Sequence, residues 1–332
     1  MGTSRCNHQE NNRSHRTARL IAAALLLMAA LPLAGYRSGF LPRARRQLTA
    51  QPTQPLAEAA EGIAPDPATL DPADQSAFTP LTAPDYTALK ASIEVMLRGK
   101  GGTYGIYVED LATGMRFGVN PDLEFVAAST IKVPLVLFLY QEAAAGRIDL
   151  GTAIAIEAAD YEGGTGHLQY EALGTRHTLR ELARLTLVES DNVATQMLIR
   201  YLGRENFRAF VHSLGAFITP DRENVTSPRD MAAFFKALLD FQKKSPALAG
   251  EIMDSLLHTA FTDRLPALLP KDLPVAHKIG NQVRVMNDAG IVYVPGRPYI
   301  ISVFTQDADE GQAVATIAQI SKRVYDYQAS LR

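Results

Sequence analysis

Ser129 and Lys132 are the residues whose type and spacing most directly suggest chemistry in this sequence. They lie in the stretch Ala-Ala-Ser-Thr-Ile-Lys-Val-Pro-Leu-Val, which runs into an apolar segment typical of a helix. A serine three residues before a lysine at a helix start places the hydroxyl and the amine on one face, one turn apart. This arrangement suits nucleophilic catalysis in which a lysine, rather than a histidine, accepts the proton of the serine.

Two later tripeptides supply side chains that such a pair would need: Ser190-Asp191-Asn192 and Lys278-Ile279-Gly280. A lysine accepts a proton only if its pKa falls well below its usual value of about 10.4, and burial or a second cation lowers it. Lys278 is our candidate for that cation, while Ser190 and Asn192 could hydrogen-bond the amine and a substrate. Ordinary alternatives stay open: a helix-joining turn for the first tripeptide and an edge-strand lysine for the second.

The composition indicates an ordinary globular protein. The chain has 332 residues, 47% of them hydrophobic and 20% charged, which suffices for one large domain or two modest ones. A net charge of -2 gives no reason to expect nucleic acid as a partner. Neither a metal-spaced Cys/His cluster nor a glycine-rich phosphate loop occurs, so we expect no metal and no organic cofactor. We also expect a monomer.

Residues 1–36 are typical of an export signal, either cleaved or kept as an anchor. Several arginines precede an uncharged run rich in Leu and Ala at residues 20–34. This run is short for a membrane-spanning helix, which needs about 20 residues. The single cysteine, Cys6, lies in this leader, so the remaining chain needs no disulfide in an oxidising compartment. We therefore predict a periplasmic or extracellular protein, which contacts a membrane only through this segment.

The rest of the chain divides into a linker and one catalytic domain. Residues 37–85 are rich in Pro and Ala and have little apolar periodicity, so we predict a linker without a fold of its own. Residues 86–332 carry the periodic patterns of helices and strands. We predict helices at residues 86–97, 130–145, 179–189, 192–202, 228–241 and 311–328, and strands at 102–109, 115–120, 275–279, 288–294 and 299–305.

This order of elements predicts an α+β fold. Strands near both ends enclose a helical middle, so the N- and C-terminal segments should share one antiparallel sheet into which a helical subdomain is inserted. A cleft between the sheet and the helices is the expected place for a site.

At this point the ordered motifs resemble a known family. Ser129-Thr130-Ile131-Lys132, Ser190-Asp191-Asn192 and Lys278-Ile279-Gly280 resemble those of the penicillin-recognising serine enzymes, specifically class A β-lactamases. Residues 164–168, 226–231 and 288–292 add to the resemblance, which extends over residues 86–332. It implies that family's fold and a serine hydrolase that acts on a β-lactam or a D-alanyl-D-alanine-type peptide of peptidoglycan.

The resemblance implies roles for the reacting groups. Ser129 would be the acylated nucleophile and Lys132 its proton acceptor. Ser190 would pass a proton to the leaving nitrogen, and Lys278 would supply positive potential for the substrate carboxylate. Asp191 would be structural, bracing the loop that presents its neighbours.

The resemblance also implies substrate-binding residues. Asn192 would hold the side-chain amide of the substrate, and the backbone N–H groups of Ser129 and Asn281, beside Gly280, would form the oxyanion hole. One departure from the family concerns Ile279, since the family usually has a Thr or Ser there whose hydroxyl binds the substrate carboxylate. Isoleucine cannot donate a hydrogen bond, so we assign carboxylate recognition to Lys278 together with Arg284 or Asn281.

A second departure concerns release of the acyl group. Class A β-lactamases carry a Glu-x-x-Leu-Asn loop that activates the deacylating water, and residues 193–225 contain no such motif. Glu223 is the nearest candidate for the deacylation base. Without that base, the acyl-enzyme should be long-lived. The alternatives are a penicillin-binding D,D-peptidase or esterase-like enzyme and, outside the enzymes, a tethered module that binds cell wall or senses β-lactams.

Overall fold

The computed structural model describes residues 83–216 and 224–331. The predicted leader, nearly all of the predicted linker and Glu223 lie outside these residues. No helix within the described ranges is long and apolar enough to span a membrane.

One five-stranded antiparallel sheet forms the centre of the fold, with strand order β2-β1-β9-β8-β7. Two short strand pairs, β3 with β6 and β4 with β5, lie outside it. The strands, in chain order, are β1 (Thr103–Asp110), β2 (Arg116–Val119), β3 (Phe125–Val126), β4 (Ala153–Ala155), β5 (Arg176–Thr178), β6 (Val225–Thr226), β7 (Val275–Gln282), β8 (Val285–Val292) and β9 (Tyr299–Gln306). The predicted sharing of one sheet by the two terminal segments is therefore confirmed.

The helices lie before, between and after these strands. They are α1 (Thr87–Leu97), α2 (Lys132–Ala144), α3 (Leu179–Val188), α4 (Asn192–Leu202), α5 (Arg204–Ser213), α6 (Pro228–Lys244), α7 (Pro246–Leu257) and α8 (Glu310–Ser330). Helices α5 and α7 were not predicted. Helix α5 begins directly after Gly203 and helix α7 directly after Ser245. Because a single residue separates each of them from the preceding helix, the sequence contains no loop pattern that would mark the boundary.

Each face of the sheet is covered by its own hydrophobic core. Neighbouring residues of β9 belong to different cores, because successive side chains of a strand point to opposite faces. Ile301 packs with α8 residues such as Ile317, whereas Ile300 packs with helical residues such as Phe234. Strand β8 is buried along its whole length, as expected of a strand covered on both sides. Strands β7 and β8 of this sheet carry Gly280 and Asn287, which adjoin the turn that contains Ser129.

Candidate active site

Ser129 lies in a single turn of 3-10 helix, Ala128–Ile131, which leads directly into α2. The regular helix therefore begins at Lys132 rather than at the predicted residue 130. Ala128, immediately before the serine, has a φ of 48°, a left-handed conformation that non-glycine residues rarely adopt. Such strain is held only where the surroundings fix it, and it is frequent at active sites.

The strand layer fixes this turn from behind. Nδ2 of Asn287 in β8 donates to the backbone oxygen of Val126 (2.8 Å), and its Oδ1 accepts from the backbone N–H of Thr305 in β9 (3.0 Å). Gly280 in β7 lies so close that an added Cβ would be 2.7 Å from the backbone oxygen of Ala127. The role of Gly280 is thus steric, since a side chain there would displace the turn that carries Ser129.

Lys132 is almost completely buried, and its amine contacts the Ser190-Asp191-Asn192 tripeptide. Nζ lies 2.7 Å from the backbone oxygen of Ser190, 2.7 Å from Oδ1 of Asn192 and 3.2 Å from Oγ of Ser190. The first two atoms only accept hydrogen bonds. A neutral amine therefore gives both N–H groups to them and keeps its lone pair for a hydroxyl proton.

Burial lowers the pKa of Lys132 to about 8, against the opposing charges of Asp191 and Glu162. At neutral pH a useful fraction of the amine is then uncharged and able to act as a base. Lys278 was expected to lower the pKa of Lys132, but the repulsion between the two amines lowers the pKa of Lys278 instead. The Lys278 amine is completely buried, and burial followed by repulsion from Lys132 lowers its pKa well below the usual value. We therefore take desolvation as the main cause at Lys132.

Lys278 has few compensating contacts within the described part of the chain. Its Nζ donates one long hydrogen bond to the backbone oxygen of Ile279 (3.3 Å) and lies 5.9 Å from the centre of the Phe261 ring. The charge of Asp288 already opposes the lowering of its pKa, and a substrate carboxylate would add a second counter-charge that raises the pKa of the amine on binding.

The tripeptide that contacts Lys132 is a tight turn between α3 and α4. Ser190 is buried and has a φ of 56°. Asp191 caps α4 through the backbone N–H of Ala194 (2.8 Å), and its second oxygen accepts from the backbone N–H of Leu168 (2.9 Å). These bonds account for the side chain of Asp191 as a brace between the turn and the loop at residues 163–168.

The loop at residues 163–168 forms one wall beside this turn. Oγ1 of Thr165 donates to the backbone oxygen of Ser190 (2.6 Å), and the backbone N–H of Asn192 donates to that of Thr165 (3.1 Å). Nδ2 of Asn192 donates to the backbone oxygen of Gly163 (2.8 Å). The amide of Asn192 thus connects the Lys132 amine to the loop and fixes the position of both.

A cavity of about 570 Å³ opens over these groups. Ser129, Lys132, Ser190, Asn192 and Asn281 all line it, so five of the predicted site residues meet at one surface. Ile279 also lines it, and its apolar side chain stands where the family usually has a hydroxyl. Further lining residues come from α4, from α5 and from the end of the next loop: Thr195, Gln196, Ile199, Arg204, Phe207, Arg208, Val211 and Asn224.

Three predicted site residues are not among those that line the cavity. Lys278 lies behind the wall, and Gly280 supports the Ser129 turn as described. Arg284 is at the tip of the β7–β8 hairpin with a φ of 60°, and its Nε lies 3.8 Å from Oδ1 of Asp307. The hairpin directs Arg284 toward the loop after β9, so the structure does not support it as a ligand of the substrate carboxylate. Glu223 lies outside the described residues.

Two further groups at the site were missed by the sequence analysis. Glu162 lines the cavity, and its carboxylate accepts a hydrogen bond from the side chain of Gln196 in α4. Asn287 holds the Ser129 turn through a contact between residues 160 positions apart. Two adjacent polar residues, Asn287 and Asp288, interrupt the apolar strand β8 and are a signal that could have indicated Asn287, whereas Glu162 is an ordinary loop residue in the sequence.

A sequence model of the β-lactamase enzyme family matches residues 88–328, from the first helix to the last. The chain belongs to this family. The match includes both halves of the sheet and the whole helical middle, and therefore every described residue that lines the cavity.

Individual family members are similar over most of the chain. β-Lactamases from Bacteroides uniformis and Rhodobacter capsulatus are each 28% identical, over 75% and 70% of this chain and 94% and 83% of their own lengths. A variant of PBP-A, solved as an acyl-enzyme complex with penicillin G, is 29% identical with a TM-score of 0.68 and covers 72% of this chain and 96% of its own. A β-lactamase structure from Sphaerobacter thermophilus is 27% identical with a TM-score of 0.68, covering 74% and 99%.

These similarities confirm two predictions from the sequence. The resemblance to class A β-lactamase-like serine enzymes is confirmed by the family match, and the α+β fold with its antiparallel sheet is confirmed by the strand order and the solved structures.

Proposed function

We propose that this member of the β-lactamase family is a serine hydrolase that opens β-lactams through an acyl-enzyme on Ser129 and releases the acyl group slowly. The observation that carries the proposal is the cavity in which Ser129 adjoins a buried lysine whose pKa is lowered to about 8. Acyl transfer requires a hydroxyl nucleophile and a base that accepts its proton. An amine that can be neutral supplies this base in the absence of a histidine.

The acylation step follows from these positions. Oγ of Ser129 attacks the lactam carbonyl carbon, and its proton passes to the lone pair of Lys132, directly or through the hydroxyl of Ser190 at 3.2 Å from the amine. The backbone N–H groups of Ser129 and Asn281 receive the oxyanion. When the C–N bond breaks, the hydroxyl of Ser190 gives its proton to the lactam nitrogen and regains one from the Lys132 ammonium. The product is an ester on Ser129.

Slow release is proposed because the chain lacks the Glu-x-x-Leu-Asn motif of class A enzymes. Hydrolysis of the ester needs a base that removes a proton from water, and our candidate is Glu223. We expect Glu223→Gln to slow deacylation more than acylation. Glu205→Gln is a matched control, because Glu205 is an exposed residue of α5. Equal rates in Glu223→Gln and the parent would contradict the assignment.

Two reagents test the function together. A chromogenic cephalosporin reports turnover, and a fluorescent penicillin reports covalent labelling. We expect stoichiometric label that persists for longer than acylation takes, slow turnover, and loss of both in Ser129→Ala. Stable label with no turnover would indicate a penicillin-binding D,D-peptidase, which cleavage of a D-alanyl-D-alanine peptide would then confirm. Neither label nor turnover would overturn the catalytic proposal and favour a binding or sensing module.

We further propose that the protein acts outside the cytoplasm as a monomer. The support is the basic leader followed by the apolar run at residues 20–34. Cell fractionation would place the chain in the periplasm, the medium or the membrane. Detection in the cytoplasm alone would contradict the proposed location. Size-exclusion chromatography tests the oligomeric state, and a mass larger than that of one chain would contradict the proposed monomer.

A further inference from the structure

The surface of the cavity carries a carboxylate for which the acylation step has no use. Glu162 and Gln196 both line the cavity, and the Glu162 carboxylate accepts a hydrogen bond from Nε2 of Gln196. Gln196 is a neutral amide, and among the residues that the structure describes no lysine, arginine or histidine forms an ion pair with Glu162. The negative charge of Glu162 therefore faces the cavity without a cationic partner.

This carboxylate lies close to the amide of Asn192. Asn192 and Gln196 are four residues apart in α4, so their side chains are neighbours on one face of the helix, with Cβ atoms about 5–6 Å apart. The loop runs beside the same face, because Nδ2 of Asn192 donates to the backbone oxygen of Gly163 (2.8 Å) and Glu162 directly precedes Gly163. The Glu162 carboxylate is thus about one helical turn from the Asn192 amide.

We propose that Glu162 and Gln196 form a subsite for an ammonium group in the acyl side chain of the substrate. The inference rests on the proposed function, in which Asn192 holds the side-chain amide of a β-lactam. An ammonium on the carbon next to that amide would donate charge-assisted hydrogen bonds to the Glu162 carboxylate. The amide oxygen of Gln196 is a second acceptor for the same group.

A cation in this subsite would also favour the base. The charges of Asp191 and Glu162 oppose the lowering of the Lys132 pKa by burial. An ammonium beside Glu162 offsets one of these charges, so the Lys132 amine would be neutral more often while such a substrate is bound. The subsite would therefore act on the rate of acylation as well as on binding.

Two arginines of α5 make an anionic side chain the competing occupant. Arg204 and Arg208 also line the cavity. Nη1 of Arg208 lies 3.1 Å from Oε1 of Glu205, so this guanidinium already has a counter-charge. Glu162 directly precedes the backbone group that Asn192 holds. We therefore assign the position next to the substrate amide to a cation.

Three penicillins that differ only at the carbon next to the side-chain amide test the proposal: benzylpenicillin, its α-amino derivative and its α-carboxy derivative. Their acylation rate constants are measured on the full-length chain by competition with a fluorescent penicillin. At pH 6.0 most of the amino group is charged, because an α-amino group titrates at about 7.7–8.0. We expect the α-amino derivative to react about two- to fivefold faster than benzylpenicillin, which is the range for a partly exposed charge pair. This preference should shrink in 0.5 M sodium chloride, since salt screens exposed charges.

Variants of Glu162 separate the subsite from intrinsic differences between the three compounds. Glu162→Gln should lose the preference for the α-amino derivative. Its rate with benzylpenicillin should rise at pH 6.0, because one charge that opposes the neutral form of Lys132 is gone. Glu162→Lys should favour the α-carboxy derivative. The matched control is Glu94→Gln, since Glu94 is an exposed residue of α1 that lies 3.9 Å from Lys90, and its preference should equal that of the parent.

The outcomes distinguish this inference from the function on which it rests. Labelling of Ser129 with the same ratio of rates in the parent and in Glu162→Gln would overturn the subsite and leave the acylation chemistry intact. A parent that reacts fastest with the α-carboxy derivative would also overturn it, because the arginines of α5 would then determine the preference. If none of the three penicillins labels the chain, the proposed function fails and this inference fails with it.

Discussion

The amine of Lys132 lies 2.7 Å from Oδ1 of Asn192, an atom that can accept a hydrogen bond but cannot donate one. The family resemblance assigns Asn192 to substrate binding. Its side chain also accepts a hydrogen bond from the Lys132 amine and so orients the N–H groups of that amine. The other end of the same amide donates to the backbone oxygen of Gly163. Substrate recognition and proton transfer therefore depend on one amide group.

The first prediction concerns the pH dependence of acylation. Since the pKa of Lys132 is lowered to about 8 and the neutral amine is the base, the rate should rise with pH and level off above about 8. Below that midpoint it should fall about tenfold per pH unit. Stopped-flow labelling with a fluorescent penicillin between pH 5.5 and 9.5 measures this profile. A rate that does not vary between pH 6 and 9 would contradict Lys132 as the base.

The second prediction concerns Asn192→Asp. A carboxylate at the position of the amide would favour the charged form of Lys132, so its pKa should rise by about one unit or more. The midpoint of the acylation profile should move to higher pH by the same amount, with less activity at pH 7. Asn206→Asp is the control, because Asn206 lies in α5 and donates to the backbone oxygen of Leu202. An unchanged midpoint in Asn192→Asp would refute the coupling.

The third prediction concerns Lys278→Met. A completely buried amine with one long hydrogen bond is costly, so an apolar side chain of similar length should stabilise the fold by about 1–3 kcal/mol. Acylation by carboxylate-bearing β-lactams should fall at the same time, because the positive potential is lost. Thermal melts and labelling rates measure the two effects. The control is Lys322→Met, which removes an exposed lysine paired with Asp326 and should change neither the Tm nor the labelling rate. A lower Tm for Lys278→Met would contradict the prediction, because it would show that the buried amine stabilises the fold.

The fourth prediction concerns Gly280→Ala. The new Cβ would meet the backbone oxygen of Ala127 at 2.7 Å, so the turn that carries Ser129 has to move. Displacement of a nucleophile by a fraction of an ångström to an ångström can cost about a hundredfold in rate. The control is Gly250→Ala in α7, where an added Cβ has nothing within 4 Å and should stabilise the helix by about 0.5–1 kcal/mol. A normal acylation rate in Gly280→Ala would show that the close approach is not required.

Local sequence patterns predicted most of the fold. The predicted strands at residues 102–109 and 299–305 and the predicted helix at residues 228–241 correspond to β1, β9 and α6. Helices α5 and α7 were missed because their boundaries follow another helix directly. The helix predicted from residue 130 began too early, since a strained 3-10 turn, Ala128–Ile131, precedes the regular helix that starts at Lys132, and propensity does not report strain.

The sequence predicted those site residues that belong to short motifs. It did not predict side-chain positions that depend on packing between distant parts of the chain. Ser129 and Lys132 meet at the cavity as their spacing suggested, and Ser190 and Asn192 join them there as the family resemblance implied. The direction of Arg284 depends on the hairpin conformation, and the contact of Asn287 with the Ser129 turn depends on the assembled sheet. Neither is encoded by local spacing.

The pairing of β1 with β9 has a consequence for how the protein is made. β1 lies in the sheet between β2, its neighbour in sequence, and β9, which is synthesised near the end of the chain. During translation, the exposed edge of β1 has no partner until the ribosome has nearly finished, and contacts of such high sequence separation form slowly. A nascent or truncated chain that lacks β9 is therefore an aggregation-prone species, and shortening the C-terminus should abolish soluble expression before it alters any residue of the cavity.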